Sequence, residues 1–285
     1  MIAFLGTGLL GSNFTQALIK KGEKVNVWNR TAARAKALEI IGAKAFESPA
    51  DAVKGADRIH LTLKDDDSVN EVLEKAKPGL KHGAIIIDHT TTSFEGAAER
   101  TARWKSLGFT YLHAPVFMGP QNALESTGYM LVSGDEAVIK SVEPELKKMT
   151  GKLIHFGPGV NTAAGMKLIG NLFLISLTGG LADALALAKT LGIPSQNLLD
   201  LFDLWNPASM VNGRLKRMIS DDFRQPSWEL SMARKDARLM VEEMKKQGKT
   251  LTVIPPVAAL MDEWIKAGHG SEDWMIISRG EPKKK

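Results

Sequence analysis

A glycine-rich turn between a short strand and a helix most limits what this chain can fold into. An apolar run at 2–5 ends in a G-x-G-x-x-G pattern, and helical spacing covers 13–20. A strand, this turn and a helix in that order begin a nucleotide-binding βαβ unit. The turn consists of Gly6, Thr7, Gly8, Leu9, Leu10 and Gly11. The pattern predicts that a dinucleotide binds these residues.

The three glycines of the turn have different expected roles. Gly6 makes the tight turn, Gly8 lets the backbone approach a pyrophosphate, and Gly11 lets helix and strand pack closely. The N-terminus of the following helix carries a partial positive charge that favours an anion. The alternative is a glycine-rich turn that binds no ligand.

Strand and helix patterns alternate over the first 150 residues, and helical patterns alone follow Gly159. Strands are predicted at 2–5, 24–28, 59–63, 84–88, 110–114 and 129–133. Helices are predicted at 13–20, 32–41, 68–75, 93–107, 163–191, 195–204, 229–247 and 256–267. Such alternation is typical of a parallel sheet covered on both faces. We therefore predict an α/β chain in which a long helix joins a Rossmann dinucleotide-binding domain, 1–160, to an all-α C-terminal domain, 161–285.

Composition excludes several classes of function. The chain of 285 residues has no cysteine, so disulfide scaffolds, thiolate zinc sites and cysteine nucleophiles are ruled out. Its six histidines show no metal-ligand spacing, and we expect no metal. The net charge of +5 comes without a basic run joined to stacking aromatics, so we expect no nucleic-acid partner. Because Met1 leads directly into a strand, we expect no signal peptide and a cytoplasmic location.

The stretch from Lys167 to Lys189 resembles a membrane span, because Asp183 is the only charge between its ends. It also contains Asn171 and two adjacent glycines. We expect a buried helix of a soluble protein and no membrane. The helical half nevertheless looks too apolar for the surface of a lone domain. We therefore expect a homodimer or homotetramer.

The end of the second strand indicates which dinucleotide is bound. An NAD site usually has an acid there, which holds the ribose 2′-hydroxyl. Here the sequence from 24 through 38 has no acid, and Asn29, Arg30 and Thr31 stand at the strand end, with Arg34 nearby. An arginine suits a 2′-phosphate, so we expect NADP (NADPH) rather than NAD. The alternative is that Arg30 only contacts solvent. FAD is disfavoured because there is no second nucleotide motif.

Further segments follow in a fixed order. The first is 88–91, Asp-His-Thr-Thr, and the second is 113–119, His-Ala-Pro-Val-Phe-Met-Gly. They are followed by 165–171, Gly-Met-Lys-Leu-Ile-Gly-Asn, by the pair 235–236, Lys-Asp, and by 268–273, Gly-His-Gly-Ser-Glu-Asp. Over nearly the whole chain these segments resemble the β-hydroxyacid dehydrogenase family. That family includes 3-hydroxyisobutyrate dehydrogenases and the glyoxylate and succinic semialdehyde reductases, and it is related to 6-phosphogluconate dehydrogenase.

The resemblance implies roles for individual residues. Lys167 would be the catalytic lysine and Asn171 its substrate-orienting partner. Besides the turn and the end of the second strand, the predicted cofactor residues are Leu63, Lys64, Thr91 and Lys235. The predicted substrate residues are Thr90, Phe117, Met118, Gly119, Trp228 and Asp236.

The chain departs from the family pattern at several positions. Thr90 replaces a serine, Gly170 replaces the first asparagine of G-x-x-K-x-x-N-N, and Phe117 and Met118 replace a serine and a glycine that hold a carboxylate. We therefore expect larger or more apolar carbonyl substrates to be preferred over glyoxylate. The altered 113–119 segment also resembles imine reductases. Those enzymes replace the catalytic lysine, which is present here.

Residue spacing supports a chemical role for Lys167. Lys167 and Asn171 are four positions apart in a helix, so they share one face, and their neighbours are nearly all apolar. Burial would lower the pKa of the lysine toward the range useful for proton transfer. The alternative is a lysine that only reaches to solvent. We expect an NADP-dependent oxidoreductase that interconverts a small carbonyl compound and its alcohol by hydride transfer. An imine reductase and a non-enzymatic dinucleotide-binding protein are the alternatives.

Overall fold

The structure, a computed structural model, describes residues 1–283. The chain divides into two compact units, Met1–Asn171 and Leu172–Lys285. The predicted domains, 1–160 and 161–285, place the boundary near the start of the long helix rather than within it. That division stays a prediction, and the two units are described separately below.

The first unit contains a six-stranded parallel sheet. Its strands are β1 (Ile2–Leu5), β2 (Val25–Trp28), β3 (Lys44–Ala45), β4 (Arg58–Leu61), β5 (Ile85–Asp88) and β6 (Thr110–His113), in the order β3-β2-β1-β4-β5-β6. A second sheet contains β7 (Val116–Phe117), β8 (Tyr129–Val132) and β9 (Lys152–His155). In it, β7 pairs antiparallel and β9 parallel with the central β8. All six predicted strands are observed.

Helices connect these strands. They are α1 (Leu9–Lys20), α2 (Ala32–Lys36), α3 (Pro49–Val53), α4 (Asp66–Ala76), α5 (Phe94–Ser106), α6 (Pro120–Glu125) and α7 (Glu136–Lys147). The prediction of a single helix at 32–41 is wrong. After α2 the chain tightens into a 3₁₀ turn, Glu39–Ile41, and stops at Gly42, whose φ is +97°. The sequence analysis also missed β3, β7, β9, α3, α6 and α7.

The six-stranded sheet is buried on both faces. Ile2 and Phe4 of β1 belong to one apolar cluster, and Ala3 and Leu5 belong to another. Successive strand residues point to opposite faces, so each cluster lies on its own side of the sheet. This double cover is expected of parallel strands joined by helices. The predicted Rossmann fold of this unit is confirmed.

The second unit is helical. Helix α8 (Thr162–Thr190) begins in the first unit and continues into the second, where α9 (Ser195–Leu204), α10 (Val211–Ser220), α11 (Leu230–Lys246) and α12 (Ile254–Lys266) follow. Two 3₁₀ turns, Pro207–Met210 and Trp274–Arg279, complete it. Its core contains Phe223, Leu230, Met261, Trp264 and Ile276. The predicted all-α region is confirmed, although α10 was missed.

Helix α8 is exposed along much of its length in the single chain. By length and composition alone it could cross a membrane, with a mean hydropathy of 1.6 over its most apolar window. Only 6% of that window is buried, and Leu172 and Ile175 are 68% and 71% exposed. The expectation of a buried helix is therefore wrong for one chain. The helix is apolar on nearly all sides, and one chain leaves most of that apolar surface uncovered.

Asp183, the acid within this apolar helix, binds the start of α12. Its Oδ1 accepts a hydrogen bond from the Thr252 N–H at 2.8 Å. Its Oδ2 accepts from the N–H groups of Val253 and Ile254 at 2.8 and 3.3 Å. Burial disfavours the charged form, but these three N–H groups outweigh it and hold the pKa of Asp183 below its ordinary value. The carboxylate therefore satisfies N–H groups that a helix start leaves free.

Asp183→Asn is expected to lower the free energy of unfolding by about 1.5–3 kcal/mol at neutral pH, because it removes charge-assisted hydrogen bonds. A lowered folded-state pKa stabilises the protein above the unfolded pKa of about 3.9, and that stabilisation is lost as the pH falls through the folded value. The gap between variant and wild type should therefore narrow below about pH 4. Denaturant unfolding at several pH values measures it. Asp203→Asn, at an exposed position of α9, is the control; an equal loss in both variants would contradict the assignment.

Candidate active site

The glycine-rich turn has the geometry that its pattern predicts. Gly6 has φ +95°, and a Cβ added there would lie 2.3 Å from the Thr62 carbonyl oxygen. A Cβ on Gly11 would lie 1.9 Å from the Gly6 carbonyl oxygen. The protein itself therefore requires these two glycines. A Cβ on Gly8, at the start of α1, would meet nothing within 4 Å. This leaves open space in front of the helix N-terminus, where an anion fits.

A cavity of about 340 Å³ lies beside this turn. Seven predicted cofactor residues line it: Gly6, Gly8, Asn29, Arg30, Thr31, Leu63 and Lys64. Arg34 and Lys75 also line it, and Glu71 is the acid in the lining. Four basic side chains against one acid make the cavity suitable for a polyanion. Of the other turn residues, Thr7 is buried and Leu9 is 78% exposed.

Asn29 connects the glycine-rich turn to the loop after β2. Its Oδ1 accepts a hydrogen bond from the Thr7 N–H at 3.0 Å, and its Nδ2 donates to the Thr31 carbonyl oxygen at 3.1 Å. Both halves of the amide are therefore used within the protein. Asn29 positions the two loops that line the cavity, a role that the sequence did not reveal.

Thr90 and Thr91 differ sharply in their surroundings. Thr90 is 3% exposed, and its hydroxyl oxygen accepts from the Leu63 N–H at 2.9 Å. It therefore joins the segments that follow β4 and β5. Thr91 is exposed. The predicted contact of Thr90 with substrate, and that of Thr91 with the cofactor, stay predictions.

Lys167 and Asn171 form a hydrogen-bonded pair on α8. The Lys167 Nζ donates to the Asn171 Oδ1 at 3.0 Å, and the residue is only 8% exposed. Within Met1–Asn171, no carboxylate lies within ion-pair distance of it. Burial lowers the pKa of this lysine below its ordinary value. The Lys167 side chain is therefore mostly buried rather than extended into solvent, and its catalytic role stays a prediction.

The aromatic ring of Phe117 lies over this lysine. The Lys167 Nζ is 4.2 Å from the ring centroid, a cation–π contact. The next residue, Met118, instead packs against the core of the first unit. Gly119 precedes α6, and its N–H donates to the Asn122 Oδ1 at 2.9 Å. Of the three predicted substrate residues in this segment, the structure brings Phe117 to the lysine.

The remaining predicted site residues belong to the helical unit. Trp228 is 40% exposed and packs edge-on against Trp274, with ring centroids 5.7 Å apart. The Lys235 Nζ lies 2.7 Å from the Asp236 Oδ1 on α11. Their predicted roles stay predictions. Asp273, from the last motif, is fully buried and accepts from the N–H and hydroxyl of Ser227 at 2.7 and 2.8 Å. That motif therefore marks a structural contact.

A buried polar network supports the carboxyl edge of the sheet, and the sequence analysis missed it. The Tyr111 hydroxyl donates to the Asp88 Oδ2 at 2.7 Å and accepts from the Arg100 Nε at 3.0 Å. Arg100 also donates to the Asp66 Oδ1 at 2.8 Å. Burial, followed by the charge of Asp88, raises the pKa of Tyr111. Asp88 begins the 88–91 segment, which was the only sequence signal for this network.

Comparison with known proteins identifies the family. Residues 1–157 match the family model described as the NAD binding domain of 6-phosphogluconate dehydrogenase. The chain belongs to this family. The resemblance to β-hydroxyacid dehydrogenases is confirmed, and the chain is an oxidoreductase with an NAD(P)-binding domain.

Two relatives and one solved structure span nearly the whole chain. An uncharacterised oxidoreductase of Shewanella frigidimarina is 29% identical over 269 residues, which are 92% of this chain and 90% of the relative. Glyoxylate/succinic semialdehyde reductase 1 of Arabidopsis thaliana is 29% identical over 286 residues, covering 97% and 96%. The imine reductase from Myxococcus stipitatus in complex with NADP+ has a TM-score of 0.91 at 24% identity, covering 98% and 99%. The last similarity establishes the shared fold.

Proposed function

We propose that this protein is an NADP-dependent oxidoreductase that interconverts a small carbonyl compound and its alcohol. The observation that carries the proposal is the buried Lys167, hydrogen-bonded to Asn171 in a family of nicotinamide-dependent enzymes. A buried lysine without a carboxylate partner is costly to keep unless it has a chemical task.

Lys167 and Asn171 on α8 have different roles in the proposed reaction. When bound, the cofactor supplies the hydride. The Lys167 ammonium donates a hydrogen bond to the carbonyl oxygen of the substrate, stabilises its developing negative charge and gives it a proton. In the reverse direction the neutral amine takes the proton from the alcohol. The Asn171 Oδ1 accepts a hydrogen bond from the Lys167 ammonium at 3.0 Å. The Nδ2 of Asn171 can then donate to the same substrate oxygen.

Imine reduction is the second candidate. It is supported by the similarity to the imine reductase structure and by the aromatic ring beside Lys167, where a carboxylate-binding group would be polar. Here Lys167 would supply a proton to the imine nitrogen. The lysine itself favours the carbonyl reaction, because an oxygen that becomes negatively charged gains most from an adjacent ammonium.

A turnover screen separates the candidates. The loss of NADPH absorbance would be followed with four kinds of substrate: uncharged aldehydes, glyoxylate, succinic semialdehyde and cyclic imines. Carbonyl turnover supports the proposal, and turnover of imines alone supports the second candidate. Binding of NADPH without turnover of any substrate would indicate a dinucleotide-binding protein that is not an enzyme.

The preference for NADP leads to a prediction about Arg30. Arg30 lines the cavity together with Thr31 and Arg34, and we expect it to bind the 2′-phosphate. Arg30→Ala should weaken NADPH binding roughly tenfold to a hundredfold and leave NADH binding nearly unchanged, because one charge-assisted contact is lost. Titration of both cofactors measures this. Arg224→Ala is the control, since Arg224 is exposed and pairs with Asp222. Equal affinity of the wild type for the two cofactors would contradict the assignment.

We also propose that the protein forms a homodimer or homotetramer in the cytoplasm. Support comes from the exposed apolar residues of α8, including Leu172, Leu174 and Ile175. A second copy of the chain would cover them without a membrane. Light scattering at micromolar concentration should give a multiple of the chain mass of 31.0 kDa. A species of that single mass would contradict the proposal.

A further inference from the structure

Phe117 occupies the space that a side chain at position 170 would need. A Cβ built on Gly170 would lie 2.3 Å from Cζ, 2.8 Å from Cε1 and 3.2 Å from Cε2 of the Phe117 ring. Real Cβ atoms do not approach other atoms so closely, so the ring and the glycine depend on each other. Gly170 lies between Lys167 and Asn171 on α8, and the ring is therefore next to the proposed catalytic pair.

The backbone of Phe117 is held in place. Phe117 pairs with Tyr129, and the preceding Val116 pairs with Met130, in the antiparallel ladder of β7 and β8. Val116 and Met130 are 3% and 0% exposed and belong to the core of the first unit. Moving the ring away from α8 by a backbone shift would break this ladder. The ring could therefore leave position 170 only by rotating its side chain, and in its observed position Gly170 gives it room.

The ring also limits how Lys167 can bind a substrate. An ammonium has three N–H groups. One donates to the Asn171 Oδ1, and the ring covers another side, with its centroid 4.2 Å from Nζ. What is left can hold one acceptor, the carbonyl oxygen. A substituent of the carbonyl on the Phe117 side then meets an aromatic face, which offers a carboxylate no hydrogen-bond donor.

We infer that Phe117 and Gly170 form a coupled pair that determines specificity, selecting carbonyl substrates with an apolar group, rather than a carboxylate, beside the reacting carbon. This inference rests on the proposed function and deepens it by naming the substrate class. The ring face supplies the apolar surface, and the missing side chain at position 170 allows the ring to lie there.

The coupling itself can be tested without activity. Gly170→Ala replaces a poor helix former by the best one, so with no collision it should raise the melting temperature, by about 2–4 °C. In the wild type the collision should reverse the sign, and the melting temperature should fall. In the Phe117→Ala background the same substitution should raise it. Gly213→Ala in α10, where a Cβ meets nothing within 4 Å, is the control and should have the same effect in both backgrounds. Equal effects of Gly170→Ala in both backgrounds would overturn the coupling.

Specificity is tested with two aldehydes, hexanal and glyoxylate, and NADPH. We expect the wild type to have the higher kcat/KM for hexanal. Phe117→Ala should lower the ratio of kcat/KM for hexanal to kcat/KM for glyoxylate by about tenfold. The reason is that the methylene groups of hexanal lose the apolar surface of the ring. Gly170→Ala should lower the kcat/KM for hexanal, and Phe117→Ala/Gly170→Ala should be no worse than Phe117→Ala alone. The dissociation constant of NADPH should stay unchanged throughout.

The outcomes separate the two proposals. If the wild type reduces no carbonyl compound of the turnover screen, the proposed function fails, whereas the melting-temperature test of the pair still stands. If it reduces both aldehydes and Phe117→Ala leaves the ratio unchanged, the specificity inference is overturned and the proposed function survives. A wild type that prefers glyoxylate also overturns the inference.

Discussion

Lys167→Ala is expected to lower the turnover number by about 10²–10⁴-fold, the range for loss of a positioned acid–base group. The affinity for NADPH should barely change, because the proposed task of this lysine is at the substrate oxygen. Steady-state kinetics on the best carbonyl substrate and a cofactor titration measure the two effects. Lys140→Ala is the control, since Lys140 is exposed on α7 and pairs with Glu136. Near-normal turnover of Lys167→Ala would refute the mechanism.

The pH dependence gives a second measure of the same residue. Carbonyl reduction requires the ammonium form, so the rate should fall as the pH rises through the pKa of Lys167. Because burial lowers this pKa, the fall should be centred below the ordinary value of 10.5. Alcohol oxidation requires the neutral amine and should show the opposite dependence. A reduction rate that stays level up to pH 10.5 would show that another group supplies the proton.

Gly11→Ala is expected to lower the stability of the protein, whereas Gly8→Ala is expected to weaken the binding of NADPH. A Cβ on Gly11 would collide with backbone, which cannot give way as a flexible side chain can, so we expect a loss of about 3 kcal/mol in the free energy of unfolding. A Cβ on Gly8 meets open space, so its loss should stay within about 1 kcal/mol. The dissociation constant of Gly8→Ala for NADPH should nevertheless rise at least about tenfold, because the added methyl group blocks the approach of the pyrophosphate.

Denaturant unfolding and cofactor titration on both variants distinguish the two roles. The glycines lie three positions apart in one turn, so each variant is a matched control for the other. If Gly8→Ala binds NADPH as the wild type does, the anion does not bind at this helix N-terminus. If Gly11→Ala is as stable as the wild type, close packing is not the reason for the third glycine.

The sequence correctly predicted the elements that are long enough to show a hydrophobic pattern of their own. Strands such as Ile2–Leu5 and Ile85–Asp88 are short apolar runs next to turn residues, and α9 was predicted with its observed bounds. Two-residue strands and five-residue helices, such as Val116–Phe117 and Pro49–Val53, are too short to show a periodicity. They form because the surrounding fold supplies their hydrogen bonds and cover.

The candidate site shows the same division. Lys167 and Asn171 could be paired from sequence because the helical repeat places residues four apart on one face. The contact of Phe117 with Gly170 could not be predicted, because it depends on how β7 is placed against α8. Similarly, no role was assigned from the sequence to Asp273 of the last motif, and the structure shows that its buried carboxylate accepts hydrogen bonds from Ser227. A motif alone does not distinguish an acid that binds a ligand from one that binds backbone.

The collision between positions 117 and 170 also restricts the order in which mutations can accumulate. With the ring in its observed position, a phenylalanine at 117 requires glycine at 170, since a Cβ there would lie 2.3 Å from the ring. Once the ring is in place, a side chain at position 170 is expected to lower stability, as predicted for Gly170→Ala. A lineage that carries both residues is therefore expected to replace the aromatic ring before it gains a side chain at 170. The pair thereby favours one order of substitutions over the other beside the proposed catalytic lysine.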